Sequence, residues 1–402
     1  MNPIRILAIA PTSFFADYGC HVRIRGQMAA LQMRGHQVLL VTYPSGRDVE
    51  DIRTERVPWA GRKPIQVGSS RRKLVLDALL CPTVFRAARR FRPQLIHGYL
   101  HEGALLGALA ARCLRIPLVF DYQGSLTAEM LDHRFISSGS PWLRLFERLE
   151  RWIDRQPDAV LASSQHAVSG LLHADAEGRR RQIVLLHDSV STRHFRPKEL
   201  FPSDELHRLR ESLSIPAGAT LMVYLGLLAP YQGTEHLLRA VSLLVGFCPS
   251  VHLLLMGFPF VEHYRQRAAE LGIASRVTFT GPVPYEDAPA HLALGQIAVA
   301  PKVSATEGSG KLLPYMAAAL PVAAFDTPVQ REYLGDLGEY AEPGDVAGLA
   351  RAIATLLADP VSASERGMAL RQVAEHSFTW EAAAGQIESI YEGLLAKSGP
   401  MV

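Results

Sequence analysis

Apolar positions along the first half of the chain follow two periods in alternation. Short continuous runs such as IRILAIA, QVLLVTY, QLIHGYL, PLVFDYQ and AVLASS predict buried strands, since a strand covered on both faces is apolar on both. Between them, RIRGQMAALQMRGH, GALLGALAARCL and the stretch around WLRLFERLERWI space their apolar residues for one face of a helix. Such a repetition predicts parallel strands joined by helical crossovers. Charged, proline-containing sequence at 193–216 interrupts the rhythm, and TLMVYLGLL restarts it. The helices TEHLLRAVSLLVGF, EHYRQRAAELG and PAHLALG then alternate with the strands VHLLLMG, VTFTG, IAVAP and PVAAF. The prediction is an α/β protein of two doubly wound domains, 1–200 and 201–375. Ligands in such sheets bind beyond the carboxyl ends of the strands, here across an interdomain cleft.

Length and composition agree with two domains: 402 residues at 48% hydrophobic content supply two cores. The opening MNPIRILAIAP is too short an apolar run for a signal peptide, and no later stretch is long and uncharged enough to span a bilayer, so a cytoplasmic protein is expected. Cys20, Cys81, Cys113 and Cys248 are scattered without metal-ligand spacing, and no structural zinc is expected. Charge changes the picture more. Residues 1–200 hold 29 Lys and Arg against 18 Asp and Glu, whereas 201–402 hold 13 against 21. Within 62–92 nine basic residues, from Arg62 and Lys63 to Arg92, face one acid, Asp77, beside apolar LVLDALL and VFRAARRF. That segment reads either as a solvated face or as a surface for an anionic membrane. Nucleic acid is not expected, because aromatics are few and no binding motif accompanies the run.

The candidate chemistry centres on TEGSGKLLPYMAAALPVAAFD, residues 306–326. A glycine-rich turn opening into a helix directs backbone N–H groups and a favourable dipole at an anion. Walker A chemistry is excluded, because Ala305 stands at the first glycine position and Leu312 follows Lys311 where Ser or Thr should hold magnesium. An ordinary strand-to-helix turn is the other reading of the stretch.

At this point the chain resembles the family 4 retaining glycosyltransferases of GT-B fold. The pieces YLGLLAPYQGTEHLLRAV, LLLMG, VTFTGPVPYEDAPAHLALGQIAVAP, EGSGKLLPYMAAALPVAAFD and FTWEAAAGQIESIYEGLL resemble its donor half in order and spacing, across 215–395. ILAIAPTSFFADYGCHVRIRGQMAALQMRGHQVLLVT resembles its opening strand, acceptor loop and helix more loosely. The resemblance implies two Rossmann-like domains, with acceptor on the first and nucleotide-sugar on the second, and a terminal helix in 376–402 packing back on the first domain. It implies a nucleotide-diphosphate sugar as co-substrate, no other cofactor, and transfer to a glycan, lipid-linked or small-molecule acceptor. Cell-envelope polysaccharide or glycolipid synthesis is the expected setting. No Asp-x-Asp pair occurs in the chain, so no metal is expected.

By the same resemblance, Gly226, Gln232, Gly233, Val283, Lys302, Gly308, Ser309, Gly310, Lys311 and Leu312 fall on the donor side. Glu307, Lys311, His101 and Gln123 are the catalytic candidates, and Gly19, Cys20, His21, His97 and Glu102 the acceptor candidates. Several positions depart from the family pattern. Leu227 or Leu228 replaces a phosphate-binding Arg, Gln232 replaces a Lys, and Pro314 stands near the position of a ribose-binding Glu in a loop one residue shorter. Gln123 occupies the place of a cleft His, and Gln cannot titrate. Lys302 reads either as a second cation of the site or as a solvated side chain. Glu129, Asp132 and His133 are further polar candidates on the acceptor side. Two alternatives share the fold: a nucleotide-sugar 2-epimerase, and a non-catalytic protein that binds a glycan or partner.

Overall fold

The computed structural model describes residues 3–58, 71–132, 135–137, 139–174, 181–304 and 308–398. The first sheet contains β1 (Arg5–Ala10), β2 (Gln37–Thr42), β3 (Thr54–Arg56), β4 (Leu95–Tyr99), β5 (Leu118–Tyr122), β6 (Ala159–Ala162) and β7 (Gln182–Leu185). Their order is β3-β2-β1-β4-β5-β6-β7, parallel throughout. The second sheet contains β8 (Thr220–Leu225), β9 (Val251–Met256), β10 (Val277–Gly281), β11 (Ile297–Ala300), β12 (Val322–Phe325) and β13 (Glu339–Ala341). It too is parallel, in the order β10-β9-β8-β11-β12-β13.

Each order reverses once, at β1/β4 and at β8/β11, and there the connections leave the sheet in opposite directions and open a crevice. β1, β4, β5 and β9 are buried on both faces, which is why their sequences run apolar rather than alternate. The edge strands β3, β7 and β13 are short and half-exposed, and β3 and β13 carry no such run.

The chain enters the second core before residue 200, since Val190 and Phe195 already pack with Leu221 and Leu312. It later returns. Trp380, Ala384, Ile387 and Tyr391 of the helix Trp380–Ser398 share a core with Ile6, Ile24 and Met28 of the first domain. Gly26 permits this contact: a Cβ there would lie 2.2 Å from the Trp380 ring. Burying each large side chain contributes about 1.5–3 kcal/mol, enough to hold the helix across the domain boundary. Polar contacts orient it, for Glu388 accepts from Arg34 and His36, and Tyr391 Oη lies 2.5 Å from His97 Nδ1.

Candidate active site

The carboxyl ends of the two sheets face each other. Gly308 and Gly310, which follow β11, lie so near the segment after β7 that a Cβ on either would come within 2.8 and 2.9 Å of Asp188 Oδ2. Around this seam Tyr285 N donates to Asp17 Oδ1 at 2.9 Å, Gln165 N to Glu332 Oε1 at 2.9 Å, and Arg25 and Arg47 to Glu286.

On the second domain, Lys311 precedes the helix Leu312–Ala317. Its Nζ donates to Tyr224 Oη at 3.0 Å and Gln232 Oε1 at 2.5 Å, and sits 4.5 Å from the Tyr224 ring centroid. Gly226, directly after β8, borders it closely: a Cβ there would approach Nζ to 3.2 Å. Gly233, in the left-handed region at φ 77°, admits the Pro301 carbonyl, which a Cβ would meet at 1.8 Å. Ser309 is almost fully buried, and its Oγ has no hydrogen-bond partner among the described residues. These donor-side candidates therefore come together at the carboxyl ends of β8 and β11. The helix has only six residues, under two turns, so its dipole is weaker than a full helix would supply and the fixed ammonium carries more of the field.

Lys302 is not solvated. It is 1% exposed, and its Nζ donates to the Gly308 carbonyl at 2.9 Å, which makes it a brace for the loop. Gln330 Nε2 holds the Lys302 carbonyl at 3.2 Å. Val283 and Leu312 are core residues of the second domain. Glu307 and His133 lie outside the described residues.

On the first domain the strongest feature is one that sequence reading passed over. Arg23 is buried, with Nε 2.9 Å from Asp121 Oδ1, Nη2 2.9 Å from Asp121 Oδ2, Nη1 3.0 Å from Asp188 Oδ1 and Nη2 3.0 Å from the Leu186 carbonyl. Gln27 Nε2 also donates to Asp121, and Tyr99 Oη to Gln27. Burial disfavours the Asp121 carboxylate, but Arg23 outweighs it and holds its pKa below the ordinary range. The clamp joins β5, the segment after β7 and the helix Gly19–Met33 just where Asp188 meets Gly308 and Gly310. A charged residue inside the apolar run PLVFDYQ was the available signal.

The acceptor candidates separate. Gly19 is exposed, and a Cβ there would meet nothing within 4 Å. Cys20 is half-buried, and burial raises its thiol well above the ordinary value, so it is no thiolate. Glu102 lies 3.4 Å from Lys73 Nζ. Burial opposes the charge of both, yet each offsets it for the other, lowering the Glu102 pKa and, together with Glu129, raising that of Lys73. Lys73, counted in the sequence only as part of a basic run, thus belongs with this polar cluster. Gln123 is half-buried beyond β5, and its Nε2 has no partner among the described residues.

Three histidines depart from the expectation of a cleft role. His21 is fully buried: Nδ1 accepts from Ala16 N at 2.8 Å and Nε2 donates to Thr12 Oγ1 at 2.6 Å. Burial pushes its pKa down to about 3, so it is a neutral anchor for the loop after β1. His97 is fully buried against Tyr99 and Tyr391, with its pKa lowered to about 4 by burial. His101 lies inside the domain, edge-on to Phe120 and Tyr122, with Nε2 3.3 Å from Asp154 Oδ1 and 3.6 Å from Glu150 Oε1. Burial alone would lower its pKa, but these carboxylates outweigh it and raise it.

His101, Glu150 and Asp154 also form the one group of metal-ligand composition among the described residues. Glu150 is already engaged, accepting from Leu126 N at 2.9 Å and Thr127 N at 3.1 Å, and the two carboxylates favour the charged form of His101.

In the basic segment, Arg62 and Lys63 lie outside the described residues. Lys73 pairs with Glu102, and Arg86 and Arg90 with Glu55.

Comparison with known proteins matches this architecture. Residues 18–187 match the glycosyl transferase 4-like domain, and residues 219–359 the glycosyl transferases group 1. The 2-deoxystreptamine glucosyltransferase of Streptomyces kanamyceticus is 25% identical over 94% of this chain and 98% of its own. The sulfoquinovosyl transferase of Arabidopsis thaliana is 26% identical over 96% and 73%. Sucrose-phosphate synthase from Thermosynechococcus elongatus superposes with a TM-score of 0.81 at 22% identity, over 98% of this chain and 100% of its own. HepE of Anabaena in complex with UDP-glucose gives 0.76 at 18%, over 97% and 100%. With both halves matched in order and the two sheets facing each other through Asp188, the chain belongs to the family 4 glycosyltransferases and has their GT-B fold.

Proposed function

We propose that this glycosyltransferase moves a sugar from a nucleotide-diphosphate sugar to a hydroxylated acceptor with retention of configuration and without metal. The observation that carries the reading is Lys311 Nζ, held by Tyr224 and Gln232 beside Gly226. A departing diphosphate gains charge toward the transition state, and a fixed cation with nearby N–H donors stabilises it without reorganisation. Ser309 Oγ, without a partner among the described residues, supplies a further donor in the same loop. No dedicated base is needed where the leaving phosphate takes the acceptor proton, so positioning by Gln123 and the Lys73–Glu102 pair is the remaining task.

UDP-glucose in the HepE complex makes a uridine donor the first to test. The acceptor is proposed as a glycan or lipid-linked sugar of the cell envelope, handled in the cytoplasm or at the inner face of the membrane. The basic segment 62–92 remains a lesser candidate for lipid contact, because three of its cations are spent on Glu102 and Glu55.

The test is a thermal-shift screen against UDP, GDP, ADP and their sugars, followed by transfer assays in excess EDTA. A ligand at 100 times its dissociation constant stabilises by about 2.7 kcal/mol. Absence of any shift would overturn the donor reading. Binding without turnover would favour the non-catalytic reading, and activity lost in EDTA and restored by magnesium would end the metal-free one.

A further inference from the structure

The helix Leu143–Asp154 turns much of its apolar surface outward while Leu143, Phe146 and Ile153 face inward beside its acids. An amphipathic sequence ordinarily buries its leucines and shows its charges, yet Trp142, Leu145, Leu149 and Trp152 are 62%, 52%, 38% and 44% exposed. Its acids point inward: Glu150 and Asp154 are each 7% exposed, beside buried Ile153. The inward acids have partners, since Glu150 receives the Leu126 and Thr127 amides and both carboxylates face His101. The outward apolar stripe has none among the described residues.

Arginines run along that stripe. Arg144, Arg148 and Arg151 are exposed on the same helix. Arg148, Arg151 and Trp152 line a cavity of about 370 Å³ with Arg112 from the helix Leu100–Leu114. Arg155 borders both that cavity and a second of about 580 Å³, which Arg115, Arg181 and Lys397 also line.

We propose that this face docks on an anionic lipid bilayer, with the Trp and Leu side chains in the headgroup boundary and the arginines on lipid phosphates. A short helix with Trp and Leu on one flank and Arg on the other has the composition of an interfacial element. At twelve residues it is about 18 Å long and lies on a membrane rather than crossing it. Among the described residues no single helix is long and apolar enough to cross. A second copy of the chain is the poorer occupant. A stripe about 18 Å by 10 Å offers roughly 200 Å², against about 800 Å² per partner in a standard interface.

The surface also touches the acceptor side. Glu150 caps the helix Leu126–Asp132, which follows Gln123, so docking would set the acceptor side of the cleft near the lipid headgroups. This consequence rests on the function proposed above, whereas docking itself does not. It is therefore measured without sugar or nucleotide.

The experiment is co-sedimentation with phosphatidylcholine vesicles, with and without 30% phosphatidylglycerol, at 50 and 500 mM salt. Wild-type protein is expected to bind the anionic vesicles at low salt and to weaken at high salt. Each basic residue near the surface contributes about fivefold, so Arg144→Gln/Arg148→Gln/Arg151→Gln is expected to lose on the order of 100-fold in partitioning. Leu145→Ser/Leu149→Ser/Trp152→Ser is expected to lose binding while its circular-dichroism melt stays that of wild type, the three residues being outside the core. Arg86→Gln/Arg89→Gln/Arg90→Gln is expected to bind as wild type. The proposal is overturned if wild-type protein ignores anionic vesicles, if the Leu and Trp variant binds equally, or if only the 86–90 variant loses binding. A dimer that this variant dissolves, with no vesicle binding by wild type, would assign the face to a second copy instead.

Discussion

Replacing Lys311 by Met keeps the length of the side chain and removes its charge. The ammonium is already positioned before any ligand arrives, by Tyr224 Oη at 3.0 Å and Gln232 Oε1 at 2.5 Å, with the Tyr224 ring beneath it. Little further ordering is therefore lost when it meets a phosphate, and the full contact contributes to binding. A hydrogen bond to a charged group contributes about 1.5–3 kcal/mol net. Coulomb attraction of unit charges about 4 Å apart at an effective dielectric of about 20 is roughly 4 kcal/mol, which bounds it from above. The expected loss in kcat/KM is about 10- to 150-fold, and it should appear in kcat as well as KM because diphosphate charge grows toward the transition state.

Two controls sharpen the result. Gln232 is 6% exposed and loses its donor, so the melt should fall slightly. Gly226→Ala should impair donor binding with Lys311 intact, because the added methyl comes within 3.2 Å of Nζ. Initial rates and nucleotide titration calorimetry are the assays. If Lys311→Met kept kcat/KM and nucleotide affinity within twofold of wild type, the loop at 308–311 would be an ordinary strand-to-helix turn.

Further expectations concern the frame around the cleft. Arg23→Gln strands the buried Asp121 carboxylate, and urea denaturation should show a loss of about 3–5 kcal/mol; a loss under 1 kcal/mol would remove the clamp from the account. His97 has its pKa depressed from 6.5 to about 4, so its contribution is complete above pH 6.5 and is lost as pH falls toward 4. Between pH 6.5 and 5 this is about 1.5 kcal/mol, and the decline of stability over that window should be smaller by that amount in His97→Gln than in wild type. Gly26→Ala should drive a methyl into the Trp380 ring and cost about 1–3 kcal/mol, relieved in a double variant with Trp380→Leu; no relief would mean that the terminal helix is not the obstacle.

Much of this protein was decided by local pattern. Short runs apolar on both faces, such as IRILAIA and VHLLLMG, alternate with helical periodicity, and that alternation is what specifies interior strands of two parallel, covered sheets. Gly226, Gln232, Gly233 and Lys311 were marked by the family resemblance, and the topology gathers them because each follows a strand whose carboxyl end lies at the same edge of the sheet. Edge strands β3, β7 and β13 were not legible, because three or four half-exposed residues carry too little period. Nor were the roles of charged and titratable groups. Lys302 became a buried brace and His21, His97 and His101 interior anchors, and Arg23 a clamp from β5 to the segment after β7, because burial is set by tertiary packing and, for His97 and Arg23, by partners 294 and 165 residues distant. The helix Leu143–Asp154 shows this most plainly. Its periodicity specifies a helix with two unlike faces, but which face turns inward depends on whether buried carboxylates find partners, and His101 with the Leu126 and Thr127 amides supplied them.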